Sequence, residues 1–89
     1  MPRTLAAFGA YPNPARGWVV FTYDRPDAAD PKGWIEIRDI AGRSVEDLPM
    51  NGLHGQQTWD TQHLAPGTYQ VQYLAGGQVL HTEKLIIQQ

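Results

Sequence analysis

Glycine and proline divide this 89-residue chain into short pieces, and that division limits its fold more than any other feature. None of the pieces shows apolar residues at the i, i+3, i+4, i+7 spacing of an amphipathic helix. The pieces are instead rich in Val, Ile, Tyr, Trp and Thr, which favour pleated strands. Seven strands are predicted: Leu5–Tyr11, Trp18–Tyr23, Trp34–Asp39, Ser44–Leu48, Gln57–Asp60, Thr68–Ala75 and Gln78–Ile87.

Alternation within these strands assigns an inner face, because successive side chains of a strand point to opposite sides of its sheet. Seven short alternating strands in 89 residues predict one all-β domain, built as a sandwich of two sheets. The side chains predicted to face its core are Val19, Phe21, Tyr23, Ile35, Ile37, Trp59, Tyr69, Val71, Tyr73, Leu85 and Ile87.

Turn residues fall between the predicted strands. Gly76-Gly77 supplies the positive φ angles of a two-residue hairpin, and Gly42 is placed to close a longer hairpin between Asp39 and Arg43. The segment Asp24–Gly33 is polar and broken by prolines, so it is predicted to be a surface crossover loop.

Composition excludes several classes of function. A net charge of −2 and the lack of a basic patch argue against nucleic-acid binding, which needs clustered Lys and Arg. The chain has no cysteine, and therefore no disulfide, thiolate nucleophile or cysteine zinc site. Its longest apolar runs are far shorter than the ~20 residues that span a bilayer, so no membrane insertion is expected.

No catalytic, metal or cofactor site is predicted. The histidines His54, His63 and His81 lack metal-ligand spacing and are interpreted as surface residues. The single serine, Ser44, lacks the Gly-x-Ser-x-Gly context of a nucleophile. The carboxylates of Asp24, Asp27 and Asp30 miss the calcium-binding loop pattern, and we expect solvated loop charges.

Four short motifs remain, and their order is informative. The Pro-Asn-Pro motif is Tyr11-Pro12-Asn13-Pro14, and the Gly-Arg motif has the pattern Ile-x-Asp-x-x-Gly42-Arg43. The Gly-x-Tyr motif is Leu-x-x-Gly67-x-Tyr69, and the terminal motif is Lys84-Leu85-Ile86-Ile87. The Tyr69 hydroxyl is expected to reach back to the backbone, as in the tyrosine corner of sandwich folds. Together, from Tyr11 to Ile87, the motifs resemble the type A C-terminal sorting domain of the type IX secretion system of Bacteroidota.

The resemblance implies a non-catalytic, seven-stranded immunoglobulin-like β-sandwich carried at the C-terminus of a larger cargo protein. Its implied partners are the outer-membrane translocon, shuttle and sortase-like components of the secretion machinery. It also implies export through the periplasm to the cell surface or the medium, cleavage by a sortase-like peptidase and attachment of the cargo to lipopolysaccharide. Residues 1–89 would then be one sorting domain, with residues 1–4 a disordered linker or a cloning remnant.

The exposed aromatic residues keep a second function open, that of an accessory module binding carbohydrate or protein on a secreted enzyme. Alternation places Trp18, Val20 and Trp34 on outward faces, and they would form an apolar patch if their strands were neighbours. The other interpretation is that these rings fold over a sheet edge. The position of the terminal motif near the last residue favours a sorting signal over such a module.

The terminal strand is predicted to carry the recognition signal. Leu85 and Ile87 would anchor it to the core, while Lys84 and Ile86 would point outward. If this strand lies at a sheet edge, a receptor could pair with its free backbone groups by strand addition. The alternative is that the strand merely completes the sandwich. Whether the chain self-associates is left open.

Overall fold

The computed structural model describes residues 6–26 and 32–89, and every regular element within them is a β-strand. The all-β prediction is therefore confirmed. Among the described residues, no helix has the length and hydropathy needed to cross a bilayer. The strands are β1 (Ala7–Tyr11), β2 (Ala15–Arg16), β3 (Trp18–Asp24), β4 (Lys32–Arg38), β5 (Ser44–Asn51), β6 (His54–Asp60), β7 (Gly67–Ala75) and β8 (Gln78–Gln88).

The strands form two sheets, as the sandwich prediction requires. A three-stranded antiparallel sheet has the order β1-β3-β6, and a five-stranded sheet has the order β2-β8-β7-β4-β5. All pairs of the second sheet are antiparallel except β2 with β8, which is parallel. The prediction of seven strands is wrong by one, because β2 has only two residues and cannot show an alternating pattern.

The core lies between the two sheets and consists of the side chains that alternation assigns to it. All eleven predicted core residues are buried. The sequence pattern missed Met50, which is fully buried beside Gly33 at the far end of β5. Burial of each large side chain contributes roughly 1.5–3 kcal/mol. The Trp59 and Phe21 rings pack at a centroid distance of 6.0 Å and join the inner faces of β6 and β3.

Both predicted hairpins are present. Gly76 and Gly77 connect β7 to β8 with φ angles of 59° and 77°, which suit glycine. Gly42, with φ 84°, lies in the turn between β4 and β5. β5 runs further than predicted and includes Pro49, which a sheet tolerates on an edge strand because its missing N–H faces away from the partner strand.

The predicted crossover segment is flanked by β3 and β4, which lie in different sheets. Its description as a surface loop is wrong at Arg25, whose exposed fraction is only 2%. The Arg25 Nη2 donates to the Gly52 carbonyl at 3.0 Å, and the Arg25 backbone N–H donates to the Leu53 carbonyl at 2.6 Å. Asp27, Asp30 and the rest of residues 27–31, like the predicted start at Leu5, lie outside the described residues.

Candidate recognition surface

The Pro-Asn-Pro motif is joined to the terminal motif through the side chain of Asn13. Its Nδ2 donates to the Lys84 carbonyl at 2.8 Å, and its Oδ1 accepts from the Ile86 N–H at 3.0 Å. A residue opposite Leu85 in a parallel ladder would make the same two contacts, since it would bond the positions before and after Leu85. The amide of Asn13 therefore extends the parallel hydrogen bonding of β2 with β8 back to the position opposite Leu85.

The end of β8 is held by further contacts. Ala15 pairs with Ile87 in the parallel ladder, and the Gln89 Nε2 donates to the carbonyls of Thr61 and Leu64 at 2.5 and 3.0 Å. The flanking Tyr11-Pro12 and Asn13-Pro14 peptide bonds are both cis. The terminal strand is thus bordered by other parts of the chain from Lys84 onward, and its backbone there is not a free edge.

Side chains of the terminal motif divide as alternation predicts. Leu85 and Ile87 are buried in the core, whereas Lys84 is exposed and Ile86 is half-buried on the outer face. On that face Lys84 is the register partner of Gln70. Recognition of this strand would therefore have to use the outer side chains and not the backbone between Lys84 and Ile86.

The Gly-Arg motif builds the turn between β4 and β5. The Asp39 Oδ1 accepts from the backbone N–H groups of Ala41 and Arg43 at 3.0 and 2.9 Å. The Arg43 Nε donates to the other carboxylate oxygen at 2.9 Å, and Arg38 donates to the Gly42 carbonyl at 2.8 Å. The Arg43 backbone N–H, together with the Arg43 side chain, holds the pKa of Asp39 below its ordinary value.

The Gly-x-Tyr motif starts β7. Tyr69 is buried, and its hydroxyl donates to the Ala65 carbonyl at 2.6 Å, so the predicted contact back to the backbone is confirmed. Gly67 is the first residue of the strand and pairs with Ile87 of the terminal motif.

Three of the four motifs line one open cleft of about 410 Å³ at the end of the five-stranded sheet. The Gly-Arg motif contributes Asp39 and Gly42, the Gly-x-Tyr motif contributes Tyr69, and the terminal motif contributes Lys84. The fourth motif does not line the cleft, but its Asn13 bonds the backbone carbonyl of Lys84, which does. Residues that are scattered from Tyr11 to Ile87 in the sequence therefore meet at one end of the molecule.

Residues 9–88 match the family described as the secretion system C-terminal sorting domain, which covers nearly the whole chain and all four motifs. The chain belongs to this family. No curated protein and no solved structure matches it significantly.

The exposed tryptophans of this sorting domain do not form the predicted patch. Trp18 and Trp34 are 48% and 54% exposed, but β3 and β4 belong to different sheets, so the strands are not neighbours. Val20, expected outward, is only 8% exposed. Its register partner on β1 is Tyr11, itself 51% exposed, and Trp18 lies two residues away on the same face. Trp18 therefore shares a face with Tyr11, and not with Trp34.

A contact that the sequence did not reveal joins β1 to β8 in the sorting domain. The rings of Phe8 and His81 stack at 5.5 Å, and the His81 Nε2 lies 3.1 Å from a Glu83 oxygen. The Tyr73 hydroxyl donates to the Gly9 carbonyl at 2.6 Å. Burial is the main cause that raises the pKa of Tyr73 above its ordinary value, and the negative charge of Glu83 adds to it. His81 is thus not the plain surface histidine that was expected. The described residues contain no cluster of three or more potential metal ligands.

Proposed function

We propose that this chain is a non-catalytic signal, carried C-terminal to a larger cargo protein, that directs the cargo across the outer membrane by the type IX secretion system. Membership of the sorting-domain family supports the assignment to this secretion route. The convergence of all four motifs at one end of the five-stranded sheet supports recognition of a folded surface. A linear signal would not require distant motifs to meet in space.

Within this proposal the surface around the cleft is what the machinery reads. Gly42 and Arg43 set the turn on one side, while Gly67 and Tyr69 position β7. The Pro-Asn-Pro motif, Tyr11 to Pro14, leads into β2 and bonds β8 through Asn13, and the outward side chains of Lys84 and Ile86 offer a cation and an apolar group. The whole chain acts as one immunoglobulin-like recognition domain, with Leu85 and Ile87 as its anchors.

The later steps follow from the same assignment. The cargo passes from the periplasm through the outer-membrane translocon with the help of a shuttle protein. A sortase-like component then removes the domain and attaches the cargo to lipopolysaccharide at the cell surface.

A fusion experiment tests the proposal. The chain is placed at the C-terminus of a fluorescent reporter that carries a periplasmic export signal, and the fusion is expressed in a host with a working type IX system. We expect the reporter on the surface or in the medium, and retention in the periplasm of a translocon-deficient strain. Equal release from both strains, or retention in both, would contradict the function.

The exposed pair Tyr11 and Trp18 favours a second candidate, a carbohydrate-binding module. Two aromatic rings on one sheet face could stack on sugar rings, with Thr58 and Asp60 of β6 beside them. Affinity electrophoresis through gels containing soluble polysaccharides distinguishes the candidates. Retardation that is lost in Trp18→Ala would support the module, and unchanged mobility in every gel would count against it.

A further inference from the structure

The cleft at the end of the five-stranded sheet contains one cation that the chain itself does not engage. Asp39 accepts hydrogen bonds from two backbone N–H groups of its own turn and from the Arg43 Nε. The Glu83 carboxylate lies 3.1 Å from the His81 Nε2. Within the described residues, the Lys84 ammonium has neither a hydrogen bond nor an ion pair. Lys84 is exposed and lines the cleft, so its charge is offered to an outside group.

Gln70 places a neutral donor beside this cation. It is the register partner of Lys84, and partners in an antiparallel pair hold their Cβ atoms about 4.5–5.5 Å apart. Both side chains are exposed on the outer face, since Tyr69, Val71 and Leu85 next to them are buried. The Gln70 side-chain amide has no hydrogen-bond partner in the part of the chain that the structure describes. An ammonium and an amide N–H at neighbouring positions fit the two oxygens of one carboxylate.

The charge of this site suits a carboxylate better than a phosphate. A phosphate group carries almost two negative charges, and the fork of an arginine is the side chain that best matches its oxygens. The arginines nearest the cleft are already used within the chain. Arg38 is paired with Glu36, and Arg43 is paired with Asp39. The single cation of Lys84 therefore balances the single charge of one carboxylate.

Ile40 adds an apolar contact at the rim of the cleft. Its side chain is 89% exposed and lines the cleft. The turn that carries it is closed by a backbone hydrogen bond of 3.0 Å from the Asp39 N–H to the Arg43 carbonyl, so the position of Ile40 is fixed. A polypeptide segment can cover Ile40 with an apolar side chain while a carboxylate of the same segment reaches Lys84.

We propose that the cleft binds an acidic segment of a protein of the secretion machinery, whose Asp or Glu carboxylate accepts hydrogen bonds from Lys84 and Gln70. An apolar side chain of the same segment covers Ile40. This proposal rests on the sorting function proposed above and adds to it the chemistry of the partner.

Export of the reporter fusion tests the charge of Lys84. Lys84→Gln removes the charge and should lower the surface level of the reporter about tenfold. Lys84→Arg restores a positive charge and should recover much of this loss. The matched control is Lys32→Gln, which changes the only other lysine of the chain and lies outside the cleft. This control should be exported like the unchanged fusion.

Gln70→Glu tests the same contact while Lys84 stays in place. The new carboxylate lies at the register position opposite Lys84 and can engage its ammonium within the chain. An internal partner of this kind competes with the carboxylate of the secretion machinery. Gln70→Glu should therefore lower export as well.

Carbodiimide coupling identifies the group that meets Lys84. The reagent joins a lysine amine to a contacting carboxylate as an amide and takes up the water that is released. The unchanged fusion, coupled in the envelopes of type IX-competent cells and then digested, should yield a peptide in which Lys84 is joined to an Asp or Glu of another protein. Lys84→Arg should lose this product, because a guanidinium is not coupled, whereas Lys32→Arg should keep it.

Thermal unfolding shows that each variant is folded, and none should melt below the unchanged chain, because these side chains are exposed. An unchanged fusion that is not exported would contradict the sorting function, and the carboxylate contact with it. If the unchanged fusion is exported, equal export of Lys84→Gln or of Gln70→Glu would overturn the carboxylate contact alone. Loss of export in Lys84→Gln without a coupled product at Lys84 would overturn it too, since Lys84 would then meet a group such as a phosphate.

Discussion

The Oδ1 atom of Asn13 accepts a hydrogen bond of 3.0 Å from the backbone N–H of Ile86, a residue 73 positions further along the chain. The same amide donates to the Lys84 carbonyl, so a single side chain satisfies two backbone groups of β8. Because both groups face away from β7, they would otherwise meet solvent or another strand. This contact links the first family motif to the last.

Asn13→Ala should expose these two backbone groups. We expect a loss of about 1 kcal/mol in the free energy of unfolding, since the contact is solvent-accessible and water can replace part of it. The sharper measurement is amide hydrogen exchange, in which the Ile86 N–H should lose protection. Asn51→Ala is the matched control, because Asn51 is exposed and contacts Tyr23 through its backbone. Unchanged protection of Ile86 in Asn13→Ala would show that the amide does not hold β8.

Tyr69 should contribute through both its ring and its hydroxyl. Tyr69→Ala removes a buried aromatic side chain and should lower the free energy of unfolding by about 3–5 kcal/mol. Tyr69→Phe keeps the ring and should cost only about 1 kcal/mol, the contribution of the bond to Ala65. Chemical denaturation measures both. Equal midpoints for the Ala and Phe variants would contradict burial of the ring in the core.

Gly33 should not tolerate a side chain. A Cβ atom at this position would lie 2.7 Å from the Leu74 carbonyl oxygen, which belongs to the neighbouring strand and cannot move freely. Gly33→Ala should therefore lower stability by about 1–3 kcal/mol. At Gly9 the nearest atom is the Thr22 hydroxyl at 3.2 Å, so Gly9→Ala is the milder control. If thermal melts showed Gly9→Ala to be more destabilising than Gly33→Ala, the close approach of β4 to β7 at Gly33 would be contradicted.

The turn of the Gly-Arg motif should weaken in acid. The pKa of Asp39 is lowered in the folded chain, first by the Arg43 backbone N–H, so its contribution to stability is present above the ordinary value of 3.8. That contribution is lost as pH falls through the lower folded pKa. An NMR titration should place the Asp39 midpoint below 3.8, and Arg43→Ala should move it upward. A midpoint at or above 3.8 in the unchanged chain would contradict the geometry.

The sequence predicted the inner faces well because alternation is a local signal. Val19, Phe21 and Tyr23 occupy every second position of one strand, and all three are buried as that alternation predicts. Short-range turn chemistry likewise placed the hairpin at Gly76-Gly77. The start of β1 at Leu5 and part of the crossover fall outside the described residues, so those predictions remain untested.

Features that depend on distant contacts were missed. Nothing near Asn13 in the sequence indicates that its amide bonds residues of β8, and the two residues of β2 are too few to alternate. Val20 has outward parity but is buried on a face that it shares with Tyr11 and Trp18. Alternation predicted that Trp18 and Trp34 point outward, but a local pattern carries no information on which strands pair. It therefore could not show that their strands lie in different sheets.

Export of a reporter fused to variants of the terminal motif tests most directly whether the machinery reads the folded surface. Lys84→Ala with Ile86→Ser changes only outer side chains of β8 and should leave the fold intact, whereas Leu85→Ala opens a cavity in the core. The account predicts that the outer double variant melts like the unchanged domain but fails to reach the surface in a type IX-competent host. It predicts that Leu85→Ala loses both stability and export. Normal surface levels of the outer double variant would contradict the account, since the terminal motif would then be only part of the scaffold.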